Sequence, residues 1–143
     1  MVDELKTGIY SYVSSSPFFM NYLTGGMYGN EYPQNTTKVV YPNIIYHWIN
    51  NTNDRDSHGY FESINIQFNI YTDEDTEVNS KAGSDLMDFL VDQLTTLMDD
   101  AVLTVDGYGN IKTIRNFSHP IPKMNEDRVW GWAIEYQILL EKI

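Results

Sequence analysis

Cysteine is missing altogether from this sequence of 143 residues. Its absence excludes disulfide bonds, thiolate-bound metals and thiol nucleophiles at once. The sequence also has no apolar run that approaches the ~18 residues needed by a membrane-spanning helix. The opening stretch, MVDELKTGIY, lacks the basic region and following apolar run that are typical of a signal peptide. We therefore expect a protein that is made and kept in a cytoplasm.

Positive charge is scarce. Nine Lys and Arg residues stand against 20 Asp and Glu residues, which gives a formal net charge of −11. A general nucleic-acid binder needs basic side chains to neutralise phosphates and release counterions, so this balance argues against that class. The same balance disfavours docking on an anionic membrane surface.

Internal repeats and low-complexity tracts are also absent. Hydrophobic residues make up 42% of the chain and charged residues 20%, a composition that is typical of a folded globular protein. A chain of this length buries roughly two-thirds of its unfolded surface in one core. We therefore expect a single domain that covers residues 1–143.

Two helices are predicted at the amino-terminal end. The first has an apolar face with helical spacing. Ser16 is suited to cap the second helix, with Pro17 at its first position, where a missing N–H costs nothing. Gly25 and Gly26 are expected to end that helix, and residues 26–38 read as an irregular connection. The apolar positions are Val2, Leu5, Ile9, Tyr12 and Val13 in the first helix, and Phe18, Phe19 and Leu23 in the second.

Two strands should follow. Residues 43–50 alternate with apolar side chains on both faces, which indicates a central strand or one whose second face is covered by a partner. The polar segment NNTNDRDSHG, residues 50–59, is rich in turn formers and is expected to be a loop. Residues 60–71 alternate more cleanly, with one apolar face and one face of Ser, Asn and Gln side chains.

The hydrophobic period then changes from two to three or four. Thr72, Asp73 and Asp75 are candidate caps for a helix that reaches about Asp99, with the acidic run 73–77 at the positive end of its dipole. Residues 101–105 are predicted to form a short strand, and residues 106–109 a turn.

Two further strands are predicted at residues 111–117 and 128–140, separated by a loop. In the last strand, Trp130, Trp132, Ile134, Tyr136 and Ile138 share one face. The element order α-α-β-β-α-β-β predicts an α+β fold, with an antiparallel sheet of about four strands and helices packed on one face.

One stretch resembles part of a metal site. In DRDSHG, residues Asp54, Asp56, His58 and Gly59 match the first half of a calcium loop. Asn65 stands where the closing bidentate Glu should fall, and a strand follows where the calcium motif needs a helix. We therefore favour a solvated hairpin loop and predict no metal ligands.

The three histidines are separated in the sequence, and no GxSxG, HExxH or phosphate-binding glycine loop accompanies them. His47 lies in an apolar strand and is expected to be a hydrogen-bonded structural residue, whereas His119 is expected to be exposed in a loop. We predict no catalytic residue, no cofactor-binding residue and no cofactor, and we do not expect an enzyme.

Aromatic residues make up 14% of the chain and include 11 tyrosines. Several of these lie in predicted loops: Tyr28, Tyr32 and Tyr108. Tyrosine is favoured at protein interfaces because it brings rigid area and a polar tip. The rings could equally fill the core or its rim, so both interpretations stay open.

Three stretches carry a resemblance to a known family. YPNIIYHWIN (41–50) resembles a proline-led first strand, ESINIQFNIYTDEDTE (62–77) a second strand that ends in an acidic turn, and AGSDLMDFLVDQL (82–94) the helix that follows. This succession resembles the tail-terminator, or tail-completion, proteins of long-tailed bacteriophages, and the likeness covers nearly the whole chain. The long polar segment 50–59 and the connection 26–41 match no pattern of that family.

The resemblance implies a structural protein of the virion, located in the tail or neck and assembled in the host cytoplasm. It implies a homo-oligomeric ring, commonly of six copies, that caps the tail tube protein and meets the head–tail connector protein. DNA would pass through the lumen without specific binding, and acidic side chains that lined the lumen would repel its phosphates. Loops and exposed strand edges would then make the contacts with neighbours. Alternatives are another head–tail connector or neck component, a non-viral adaptor, or a metal-binding interaction module.

Overall fold

A computed structural model describes residues 2–30, 33, 38–56, 59–122 and 128–143, with the side chains of 2, 3, 50–56, 59, 60 and 111 left aside. It has three helices: α1 (Val2–Ser14), α2 (Pro17–Tyr22) and α3 (Gly83–Met98). Its strands are β1 (Met27–Gly29), β2 (Asn43–Asp56), β3 (Gly59–Asp73), β4 (Glu77–Val78), β5 (Lys81–Ala82), β6 (Tyr108–Ile121) and β7 (Val129–Lys142). None of the described helices is long and apolar enough to cross a membrane.

The main sheet has five strands in the order β1-β2-β3-β7-β6. Its four long strands are antiparallel neighbours, as the sequence predicts. The fifth strand, β1, pairs in parallel with β2 from Met27↔Ile44 to Gly29↔Tyr46, so the sheet is mixed. The expectation of a purely antiparallel sheet of about four strands is therefore incomplete. A strand of three residues is too short to show a period, and only its partner β2 makes it a strand.

Residues 50–56 of the polar segment are not a loop but the second half of β2, and residues 57 and 58 lie outside the described residues. The ladder between β2 and β3 continues from Asn50↔Asn65 to Asp56↔Gly59, after a register irregularity between Trp48 and Asn50. Residues of this kind are poor strand formers on their own. Here β3 supplies backbone partners along the whole segment, and β3 is itself paired with β7 from Phe61 onward.

The acidic run 73–77 does not cap α3. Residues 77–82 form the small β4–β5 ribbon, and α3 begins at Gly83 without a side-chain cap. The carboxylate of Asp73 instead accepts a hydrogen bond from the Thr76 N–H at 2.7 Å, and the Thr72 hydroxyl donates to the Gly83 carbonyl at 3.2 Å. These two hydrogen bonds thus stabilise a turn. The acidic residue in the first turn of α3 is Asp85, which lies outside the run 73–77.

The short strand predicted at residues 101–105 is also wrong. Only Val105 makes a bridge, with Tyr108. The backbone N–H of Leu103 donates to the side-chain oxygen of Asn110 at 2.8 Å. A side chain therefore satisfies this donor where a neighbouring strand would otherwise be needed.

The core lies between the helices and one face of the sheet. The prediction that the helices pack on one face is confirmed, because their buried residues form one cluster with one set of alternating strand residues. In α3 the buried positions Leu86, Leu90, Leu94 and Met98 recur every fourth residue, as an amphipathic helix requires. The strand residues in the cluster include Ile44, Tyr46, Ile64, Ile66, Phe68, Ile70, Ile134, Tyr136, Ile138 and Leu140.

α2 begins where the sequence predicts. The Phe19 N–H donates to the Ser16 hydroxyl at 3.4 Å, and Pro17 is the first helical residue. Leu23, rather than a glycine, closes the helix, and its N–H bonds the Met20 carbonyl.

Candidate functional site

The face of the sheet opposite the helices is the first candidate site. Paired residues of neighbouring strands lie on the same face, so the register places His47, Gln67, Glu135 and Phe117 in one row of this face. Asn43 and Ala133 are buried there; the other described side chains are half-buried or exposed. No described helix covers this face, so its side chains are available to a neighbouring molecule.

Amide side chains occupy the middle of this uncovered face and bond to one another. The Gln67 amide donates to the Asn69 oxygen at 2.8 Å, and the Gln137 amide donates to the Ser63 hydroxyl at 2.8 Å. Asn116 on β6 donates to Glu135 Oε2 at 2.9 Å. The centre is therefore polar, and among these residues only Glu135 is charged at neutral pH.

Apolar side chains lie toward the two lateral margins of the same face. Ile49 on β2 is 45% exposed, and Ile114 on β6 is 39% exposed. Phe117 stacks on the ring of His119, with 4.7 Å between centroids. Ile49 and Ile114 thus lie near opposite margins of the face, because β2 is flanked only by the short β1 and β6 is an edge strand.

Both margins also present strand edges. In the part of the chain that the structure describes, no strand lies beyond β6, and β1 covers β2 only at Ile44–Tyr46. Such edges offer unpaired backbone donors and acceptors to another chain. Because β2 and β6 run in opposite directions, the β6 edge of one copy can pair with the open part of β2 in the next copy as an antiparallel neighbour.

The two described histidines do not form a site. His47 and His119 lie on the uncovered face but on β2 and β6, three strand spacings or about 14 Å apart. His47 is half-buried, and no hydrogen bond joins its ring to a described residue, so the expected hydrogen-bonded structural role stays a prediction. Nδ1 of His119 lies 3.1 Å from the Pro120 carbonyl oxygen, and the residue is exposed in β6 rather than in a loop.

The calcium-like residues are not brought into a described site. Asp54 and Asp56 belong to β2, paired with Phe61 and Gly59, and their side chains together with His58 lie outside the described set. Elsewhere in the described ranges, no group of three His, Asp or Glu side chains could hold a metal ion.

Tyrosines prove to be divided between core and surface. Tyr136 is fully buried, whereas Tyr10 is 46% exposed. Burial raises the pKa of Tyr136, of Tyr46 and of Tyr71 above the ordinary value. Tyr28 and Tyr108 are half-buried strand residues rather than loop residues, and Tyr32 lies outside the described residues.

A second exposed surface lies on the helical side and was not predicted from the sequence. Phe18 and Tyr22 of α2 meet Phe89 of α3, with ring centroids 5.4 Å (Phe18–Tyr22), 6.0 Å (Phe18–Phe89) and 4.3 Å (Tyr22–Phe89) apart. Phe18 remains 57% exposed. Its helical position predicted a core residue, and only the packing of α2 on α3 leaves it outside.

Comparisons with known proteins identify the fold but no family. No protein-family model matches the sequence, and the search of curated proteins finds no relative. Among solved structures, one similar chain belongs to the virion of a native gene transfer agent particle. The two chains are 9% identical and superpose with a TM-score of 0.72 over 96% of this chain and 94% of that chain. The chain therefore shares its whole fold, helices and sheet together, with a protein chain found in that virion.

Proposed function

We propose that this chain is a structural protein of a phage-like virion, and that a ring of six copies caps the tail tube and forms the interface to the head connector. One observation carries the proposal: the fold matches a virion chain over nearly the full length of both proteins. The sequence resemblance to tail-terminator proteins has independent grounds, the motifs of residues 41–50, 62–77 and 82–94.

The ring would close through the margins of the sheet. The β6 edge of one copy would pair with the open part of β2 in the next, with Ile114 and Ile49 covered at the joint. This arrangement uses four long strands per copy, and an even number keeps the strands antiparallel across each boundary. A repeated head-to-tail contact of this kind generates a closed ring when its rotation divides a full turn.

The uncovered face of the sheet would then be the surface that turns toward the lumen. Its centre consists of amides and Glu135, and Lys112 lies on the same face at the β6 edge, in the row of Ser63 and Leu139. Phosphates that pass the centre of this face would meet amides and one carboxylate, with Lys112 only at the β6 edge, so DNA could move without being held.

A different neck component is the second candidate, because a fold shared with a virion chain does not distinguish positions along the particle. Catalysis is not proposed. Within the described ranges, no group of three His, Asp or Glu side chains could hold a metal ion.

Electron microscopy of particles assembled without this chain tests the proposal. A tail-end cap predicts tails of uncontrolled length that lack heads, and restoring the wild-type chain must restore joined particles. Tails of normal length beside unjoined heads would favour the neck component. Normal virions would overturn both roles.

A further inference from the structure

The exposed ring of Phe18 and the half-buried rings of Tyr22 and Phe89 border an acidic ridge on α3. Asp85 and Asp92 are seven residues apart, which places them on the same side of the helix, about 10 Å from each other. Phe89 lies between them in sequence, one turn from each. We refer to these three rings together with Asp85, Asp88 and Asp92 as the aromatic–acidic surface.

In the part of the chain that the structure describes, the carboxylates of this surface have no ion-pair partner. Asp85, Asp88 and Asp92 are exposed, and no ion pair of theirs is found among the described residues. The two arginines whose side chains the structure describes form ion pairs with other carboxylates. Arg128 pairs with Glu74 and Asp75, and Arg115 pairs with Asp99. Three unpaired carboxylates on one helix face repel one another, so the surface gains from a cation supplied from outside.

A groove borders the other side of the ridge. It is lined by apolar side chains from the end of β6, the start of β7 and α3, and Asp88 lies at its rim. The ridge thus separates two apolar surfaces, the ring cluster and the groove. The apolar residues of the groove include Met87, Pro120, Ile121, Pro122, Trp130 and Trp132.

The chain itself shows that a cation is accepted here. Nζ of Lys81 lies 5.3 Å from the centroid of the Phe89 ring. An ammonium or guanidinium group at this distance is attracted by the ring face. Phe18, the most exposed of the three rings, has no such cation among the described contacts.

We propose that the aromatic–acidic surface and the adjoining groove dock a segment of a partner protein in which arginine alternates with apolar side chains. The guanidinium groups would meet Asp85 and Asp92 and stack on Phe18, because arginine combines a permanent charge with a planar face. The apolar side chains would enter the groove. The rings and the acidic ridge lie on helices, away from the strand edges of the proposed ring, whereas the groove includes Pro120 and Ile121 at the end of the edge strand β6. The proposal does not depend on the tail-end role.

A second copy of this chain is a poorer occupant. The whole chain has nine basic residues, and the arginines described here are already paired within their own subunit. Nucleic acid is excluded by charge, since phosphates would be repelled by the same three carboxylates. A basic partner protein is the chemistry that complements both the charge and the apolar area.

Binding of a short synthetic peptide in which arginine and leucine alternate tests the proposal, measured by calorimetry on the purified full chain. The double variant Asp85→Asn with Asp92→Asn should weaken binding about tenfold, since each exposed ion pair changes an affinity a few-fold. Phe18→Ser should weaken binding as well. The matched control, Asp100→Asn with Asp106→Asn, removes the same two charges from another exposed region and should leave the affinity within about twofold.

Equal losses in the test and control variants would mean attraction by net charge alone and would overturn the proposal. So would undiminished binding to Phe18→Ser. Amide chemical shifts recorded during the peptide titration provide an independent readout: changes should concentrate on α2, α3 and Ile121, since the prolines beside it carry no N–H. Concentration-dependent self-association through the same amides would identify a second copy as the occupant and would overturn the proposal too.

Discussion

The hydroxyl of Tyr136 donates a hydrogen bond to Asp99 Oδ1 at 2.7 Å. Tyr136 is fully buried on β7, and Asp99 is the residue that ends α3. Oδ2 of the same carboxylate lies 3.4 Å from Nη2 of Arg115 on β6. One carboxylate therefore ties the end of α3 to two neighbouring strands.

Replacing Tyr136 by Phe should lower the free energy of unfolding by about 1 kcal/mol, the usual net contribution of one buried hydrogen bond. The cost stays modest because the Asp99 side chain is 39% exposed and can be hydrated when it loses the hydroxyl. Urea denaturation at neutral pH measures the difference. Tyr10→Phe, at a site that is 46% exposed, is the control and should change stability little. Equal effects of the two substitutions would contradict the role of this bond.

Alkaline pH should destabilise the folded protein. Burial and the Asp99 contact raise the pKa of Tyr136 far above its ordinary value of 10.0. Above pH 10.0 the Tyr136 hydroxyl loses its proton in the unfolded chain but keeps it in the folded chain. The free energy of unfolding therefore falls as pH rises. The slope is about 1.4 kcal/mol per pH unit for one such group.

Tyr136→Phe should therefore flatten the alkaline part of the stability profile, although Tyr46 and Tyr71 keep a residual slope because burial raises their pKa as well. The advantage of the wild-type chain at neutral pH should shrink and then reverse above about pH 10. Parallel profiles for the two proteins would show that Tyr136 is not held neutral by the fold. Thermal melts across the pH range provide the measurement.

Gly25 should not tolerate a side chain. Its N–H donates to the Pro42 carbonyl at 2.7 Å, and an added Cβ would overlap the Val40 carbonyl oxygen and lie 2.6 Å from the Pro42 oxygen. Gly25→Ala must push the end of α2 away from the start of β2, which should cost about 2 to 3 kcal/mol. Gly109→Ala is the matched control, since its nearest atoms lie 3.9 Å from the added Cβ. Similar denaturation midpoints for the two variants would contradict this close approach.

Ile114→Asp should prevent assembly without unfolding the subunit. Ile114 is 39% exposed on the edge strand β6, so the substitution should change stability by about 0.5 kcal/mol at most. In the proposed ring the new carboxylate would be buried at each joint, and joined particles should be lost in electron micrographs. Val102→Asp makes the same change at a site that is 74% exposed and away from the sheet, and it should preserve assembly. Normal assembly of the Ile114 variant would rule out this edge as the joint.

Calcium should leave the thermal stability unchanged. The pattern of Asp54, Asp56 and His58 lacks the closing Glu of a calcium loop, and Asp54 and Asp56 belong to a strand. A genuine site would raise the free energy of unfolding by about 2.7 kcal/mol at a hundred-fold excess over its dissociation constant. A melting temperature that rises with calcium and falls back with a chelator would reinstate the metal-binding module.

Periodicity predicted much of the fold because each long element has a single buried face. In β3, every second residue is buried: Ile64, Ile66, Phe68 and Ile70. In α3, every fourth residue is buried: Leu86, Leu90 and Leu94. The residue types of the acidic run 73–77 predicted the start of a helix, and that prediction is wrong. The run forms a turn and leads into the β4–β5 ribbon. The residue at which a helix begins depends on where the helix packs. Here α3 begins at Gly83 and packs on β3 and β7.

The candidate surfaces were predictable only in part. A polar face on β3 and apolar residues on both faces of β2 indicated a sheet with an uncovered side, and the structure has one. The aromatic–acidic surface had no such signal, because Phe18 and Phe89 have the same helical spacing as core residues.

The sequence by itself determined which faces of the long helices and strands are apolar, and hence that the helices cover one side of a sheet. Only the tertiary structure decided that β1 joins in parallel, that the polar segment 50–56 is a strand, and that Phe18 stays exposed. The physical reason is that burial patterns are properties of single elements, whereas backbone pairing and residual exposure depend on a partner elsewhere in the chain.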